Sequence, residues 1–156
     1  MSRSWTTRAR RPGESEDAYT FVEREKFLER VAEDGFLEWA TILGEYYGTP
    51  TPEPEPGRDI VLEIDVQGAR QVLKHCPEAY CVLVRAPSPD VQEERLRLRG
   101  DPEDHIMRRV ALGKLEDAEG LELAQRVLVN DDLDGAVGEL KDIIEEIRHQ
   151  NQPCPG

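Results

Sequence analysis

Cysteine, lysine and long apolar runs are all scarce in this chain, and each scarcity removes a class of protein. Only three cysteines occur among 156 residues, Cys76, Cys81 and Cys154. An odd number without metal-ligand spacing excludes a disulfide framework and a cysteine-built metal site, so no metal centre is expected and Cys76 and Cys81 read as core or near-core thiols. No apolar run reaches membrane-spanning length and no signal peptide is evident, so no membrane partner is expected and the cytoplasm is the expected compartment. Of the 20 basic residues only four are lysines (Lys26, Lys74, Lys114 and Lys141) and the rest are arginines. Arginine offers a planar fork suited to phosphate, although a GC-rich genome gives the same bias. A net charge of −13 argues against nucleic acid as a partner, because phosphates would not be neutralised broadly. A local basic pocket stays open.

What is present fits one domain with a proper core. Tyr19-Thr20-Phe21-Val22 reads as a short strand, and a helix follows from about Glu23 to Asp34, closed by Gly35. Phe36–Ala40 and Tyr46–Thr49 read as small aromatic strands. Glu38 then points to the opposite face from Leu37 and Trp39, where a solvated position is the plain alternative. Four prolines in Pro50–Gly57 predict an extended connector. Beyond it, a helix over Ala69–His75 and a strand over Tyr80–Val84 are expected. Ser88-Pro89 opens a helix through Arg99, and Asp101-Pro102 repeats that signal for a longer one. The longer helix is expected to turn Ile106, Val110, Met107, Ala111, Leu115 and Ala118 inward. Val127–Val129 forms a further strand. Asn130-Asp131-Asp132 turns into a last helix with a stripe of Val137, Leu140, Ile143, Ile144 and Ile147. Strands alternating with helices predict a parallel α/β sheet.

Two stretches carry chemistry. Ile60-Val61-Leu62-Glu63-Ile64-Asp65-Val66-Gln67-Gly68 has the composition of a strand buried on both faces, ending in two acids on one face. Such acids either face a ligand crevice at the strand's carboxyl end or mark a capped helix start. The first eleven residues hold Arg3, Arg8, Arg10 and Arg11 and no acid, the first carboxylate being Glu14. The hydroxyls and guanidinia of Ser4–Glu14 suit a single phosphate group, and a frayed basic terminus is the alternative. Arg95 and Arg97 read as solvated helix surface.

Taken together, Ser4-Trp5-Thr6-Thr7-Arg8 with Arg11-Pro12-Gly13-Glu14, Phe36–Ala40, Tyr46–Thr49, Leu62–Gly68 and Val129–Asp134 resemble the guanylate kinase family, from the first residues to about Arg148. The resemblance implies a P-loop kinase-like parallel sheet with flanking helices and a small mixed-β arm that binds guanosine monophosphate (GMP). It implies one domain over 1–149, with the arm at about 4–58, core and lid at 59–149, and a polar tail at 150–156. By that likeness Ser4, Arg8, Arg11, Tyr19 and Tyr47 hold the GMP phosphate, while Glu38 and Thr49 read guanine. Glu63 and Asp65 lie between the two nucleotides, one of them near Mg²⁺. Arg99 and Arg109 resemble lid arginines that act with Arg11 in transfer, and Asn130 lines the adenine side. The implied reaction is ATP-dependent phosphorylation of GMP to GDP, with Mg²⁺ accompanying ATP.

The sequence departs from the family in a shorter Pro50–Gly57 connector, in slightly shorter stretches between Arg99 and Arg109 and before Tyr19, and above all in its phosphate loop. It contains no G-x-x-x-x-G-K-[ST] stretch, and its Gly113-Lys114 lies within a helix. About the first thirty family residues, with the first strand and the P-loop, have no counterpart here, so an unpaired sheet edge is expected. The chain alone is expected to be inactive unless that segment is supplied. The alternative is a non-catalytic module that takes GMP or a phosphorylated protein in the monophosphate site.

Overall fold

The computed structural model describes residues 3–53 and 58–150. The chain divides into two compact units, within residues 1–79 and 80–156. The first contains strands β1 (Trp5–Thr6), β2 (Thr20–Phe21), β3 (Phe36–Ile42) and β4 (Glu45–Pro50), and helices α1 (Arg24–Ala32) and α2 (Val66–His75). The strands form one mixed sheet in the order β2-β1-β4-β3, with β1 and β2 parallel and the other pairs antiparallel. Leu43 and Gly44, both at positive φ, make the two-residue turn of the β3–β4 hairpin, the geometry that matches strand twist.

Alternation along these strands gives the sheet two unlike faces. On one lies Phe27 of α1, fully buried and stacked on Phe36 at 4.6 Å and Tyr46 at 5.3 Å between ring centres. Gly48 makes this approach possible, because a Cβ there would meet Phe27 and Phe36 at 3.0 Å. The other face carries Ser4, Thr6, Glu38, Tyr47 and Thr49. In an unbroken strand Phe36 and Glu38 would share a side. A register shift between them, a β-bulge, sends Phe36 into the aromatic layer and Glu38 to the opposite face.

Helix α1 ends differently from the expectation. Asp34, at φ 51°, takes the left-handed position, and the Gly35 N–H donates to the Arg30 carbonyl at 2.9 Å, closing a Schellman motif. A larger correction concerns the expected central strand. Residues 58–65 have no regular secondary structure, and Ile60 is 48% exposed. A strand exists through its ladder, and no described strand pairs with this stretch. Asp65 instead caps α2, accepting from the Gly68 N–H at 2.8 Å, so the helix starts at Val66 rather than Ala69. Residues 54–57 of the expected connector and 151–156 of the tail lie outside the described residues.

The second unit contains β5 (Val82–Arg85), α3 (Pro89–Leu98), α4 (Glu103–Leu123), β6 (Arg126–Val129) and α5 (Leu133–Gln150). Strands β5 and β6 pair in parallel, and the α3–α4 hairpin connects them. Leu128, Ala136 and Ile143 form its core with Val82, Leu140 and Ile147 packed around them. Ser88 caps α3 through the Val91 N–H, as expected. Helix α4 starts at Glu103, with Pro102 in the N-cap position. Most of the expected inner stripe of α4 is wrong, because Met107, Ala111, Leu115 and Ala118 are exposed and only Ile106 and Val110 turn inward. The inward row runs through buried Ile106 and Gly120 and half-buried Val110, Gly113 and Asp117. Gly113 abuts Gln92 and Gly120 abuts Leu83, and a Cβ at either would come closer than 3.0 Å. Among the described residues no helix is long and apolar enough to cross a membrane.

Candidate functional site

The polar face of the four-stranded sheet gathers the arm residues singled out by sequence. At one end stands Glu38, 5% exposed, opposite Thr49 across the β3–β4 ladder. Burial raises the Glu38 pKa above 4.5 against hydrogen bonds from the Thr49 side chain and backbone, and the charge of Asp65 raises it further. The solvated alternative for Glu38 therefore fails. Ser4 and Thr49 stand hydroxyl to hydroxyl at 3.2 Å. A buried carboxylate beside two hydroxyls is suited to a flat partner that presents N–H groups in its plane.

The other end is basic and aromatic. The Arg8 guanidinium lies 5.3 Å from the centre of the Tyr19 ring and 5.6 Å from that of Phe21, and Tyr47 also favours its charged form. Tyr19 and Tyr47 meet edge to face at 6.0 Å. Glu14, read from sequence only as the end of an acid-free run, takes two bonds from Arg8 at 2.8 and 2.7 Å and one from the Arg11 N–H at 2.9 Å. The Arg8 bond holds the Glu14 carboxyl down to about 2, and Glu14 in turn holds the guanidinium firmly charged. The signal for this clamp was the spacing: Glu14 follows Arg8 by six residues and Arg11 by three. The Arg8 Nε is buried with no hydrogen-bond partner among the described residues. The turn therefore has a fixed fork with a donor to spare, which suits an anion.

Glu63 and Asp65 border this face. Burial first, and then the charge of Glu63, raises the Tyr19 pKa. Asp65 accepts from Gly68 N–H through one oxygen and from the Gln67 amide at 3.1 Å through the other. No group of three His, Cys, Asp or Glu among the described residues forms a metal cage. A single carboxylate suffices beside a magnesium ion whose other ligands are phosphates and water, the usual manner of Mg²⁺.

Arg99, Arg109 and Asn130 belong to the second unit. Arg99 bonds to Asp101 at 2.6 Å, and Arg109 spans both Glu116 oxygens at 3.2 Å. The Asn130 N–H donates to the Arg85 carbonyl at 2.8 Å. Arg95 is more than solvated surface: its two terminal nitrogens donate to the Asn130 and Asp131 carbonyls at 2.7 Å each. It thereby ties α3 to the loop after β6. Only the fold reveals that role, since 35 residues separate the partners.

Comparison with known proteins agrees with this arrangement. The family model "Guanylate kinase" matches residues 1–147. Guanylate kinase of Carboxydothermus hydrogenoformans is 42% identical over 147 residues, covering 90% of this chain and 72% of that protein. Guanylate kinase of Neisseria gonorrhoeae is 42% identical over 154 residues, covering 95% and 75%. Among solved structures, guanylate kinase from Anaplasma phagocytophilum superposes with a TM-score of 0.76 at 30% identity, covering 98% of this chain and 77% of its own. This chain belongs to the guanylate kinase family.

Proposed function

We propose that the polar face of the four-stranded sheet is a GMP site and that the chain serves the ATP-dependent phosphorylation of GMP to GDP. The observation that carries the reading is the polarity of that face. A dry carboxylate stands at one end, Glu38 with Thr49 and Ser4, and a clamped guanidinium at the other, Arg8 with Arg11, Tyr19 and Tyr47. Guanine presents an N–H and an amino group that one carboxylate can accept together; adenine has no matching pair. The 5′-phosphate then meets the basic end. By the family likeness, Arg11, Arg99 and Arg109 would neutralise charge on the phosphoryl group, Asn130 would line the adenine side, and of Glu63 and Asp65 one would contact the substrate and the other would stand near the Mg²⁺ that accompanies ATP. Phosphoryl transfer rests on positioning and such neutralisation. Arm (about 4–58) and core with lid (59–149) would act as one domain.

The test is the Glu38→Ala substitution, read by calorimetry with GMP and AMP. GMP should weaken by about 1.5–3 kcal/mol, the value of a charge-assisted hydrogen bond, with AMP little changed. Equal losses for both nucleotides would reduce Glu38 to a structural part. A phosphoserine peptide binding as tightly as GMP would favour a non-catalytic module instead.

A further inference from the structure

Glu38 owes its place to more than its own strand. Strand β3 is an edge of the sheet, and α2 runs beside it. The Gln71 side chain accepts from the Trp39 N–H at 3.2 Å and donates to the Trp39 carbonyl at 2.7 Å. One amide thus makes both bonds a further strand would make, at the residue next to Glu38. Gln67 adds a bond to the Thr41 carbonyl at 3.3 Å. On the same helix Gly68 is buried, and a Cβ there would collide with Glu38 Oε2 and lie 3.0 Å from its carboxyl carbon. The carboxylate therefore rests against the bare backbone of the first turn of α2. Any side chain at position 68 collides with the free end of Glu38 rather than with main chain, and the part that gives way is the carboxylate.

Resting on the reading that Glu38 meets the base, we propose that Gly68 and Gln71 are positioning residues that aim Glu38 and so set the preference for a purine with both a ring N–H and a 2-amino group. Gly68 sets the depth of the carboxylate, and Gln71 sets the strand that carries it. Hypoxanthine keeps the ring N–H but lacks the amino group, so the ratio of GMP to inosine monophosphate (IMP) affinity reports the aim of the carboxylate. Ribose 5-phosphate reports the phosphate end alone.

The experiment titrates the full chain and its Gly68→Ala, Gln71→Met, Glu38→Ala and Glu38→Ala/Gly68→Ala variants with GMP, IMP and ribose 5-phosphate. Gly68→Ala should weaken GMP about tenfold and collapse the GMP-to-IMP ratio, with ribose 5-phosphate unchanged. Alanine suits a helix better than glycine, so a loss of general stability is not the cause expected. In the Glu38→Ala background the same substitution should change GMP affinity less than about twofold, because it acts through Glu38. Gln71→Met keeps the side chain's length without its hydrogen bonds, and should lower the ratio by itself. If Gly68→Ala does not fold, this variant decides. An unaltered ratio in the folded variants, or an equal loss with and without Glu38, overturns the inference. If the unmutated chain itself fails to prefer GMP over IMP, the guanine reading fails first, and the inference falls with it.

Discussion

A carboxylate in a nearly dry place accepts from a purine only while it is ionised, and Glu38 is held where ionisation is costly. Its pKa is raised by burial, so protonation removes the acceptor at a pH where an exposed glutamate is still charged. GMP affinity should fall on acidification with a midpoint above 4.5, and Glu38→Gln should lack that midpoint. The ligand's phosphate, which titrates near about 6, affects both proteins alike. Glu14 has the opposite sign. Its depressed pKa makes the contribution of the Arg8–Glu14 clamp to stability full above 4.5 and lost as pH falls toward about 2. Acid unfolding of Glu14→Gln should lack that dependence. Arg8→Ala should remove most GMP binding and most of its sensitivity to salt, as read by titration at two ionic strengths. The sequence showed Arg8, Arg11 and Glu38 as candidates because charge pattern and alternation are local. It left Glu38 between site and solvent, because the bulge that turns it inward exists only in the β3–β4 pairing. Gly68 and Arg95 were missed because their partners are set by the fold, whereas Glu14 stood within six residues of both its partners.

Elements were easiest to read where a local signal and the packing agree. Ser88-Pro89 announces α3, and Ser88 caps it; Ser88→Ala should cost about 1 kcal/mol in thermal or urea unfolding. The aromatic strands were legible by composition, and Phe27 joins them by stacking. Phe27→Ala empties the centre of that layer and should cost about 3–5 kcal/mol in urea unfolding, taking the arm's GMP site with it. The inner row of α4 escaped notice because Gly113, Asp117 and Gly120 take positions that a search for apolar periodicity skips. Residues 60–64 misled for the converse reason. Their composition is that of a buried strand, but composition supplies no partner, and pairing alone makes a strand.

At the scale of the molecule, a chain of net charge −13 would, on the proposed reading, meet its anionic ligand at the basic turn of the arm. On the proposed reading the turn would act by proximity, Arg8 and Arg11 meeting the phosphate directly while distant surface acids are screened. Glu14 neutralises part of that charge and in exchange fixes the fork. Family membership was legible from ordered motifs that run nearly the length of the chain, and the face that collects them was not, since it needs the parallel β1–β2 and antiparallel β1–β4 pairings at once. The account stands on that face being a GMP site with a base end and a phosphate end. Calorimetric titration of the 156-residue chain with GMP, guanosine and AMP tests it most directly. GMP should bind tightest, with guanosine and AMP each weaker by about tenfold or more, one for want of the phosphate and the other of the guanine edge. Guanosine or AMP binding as tightly as GMP would contradict it.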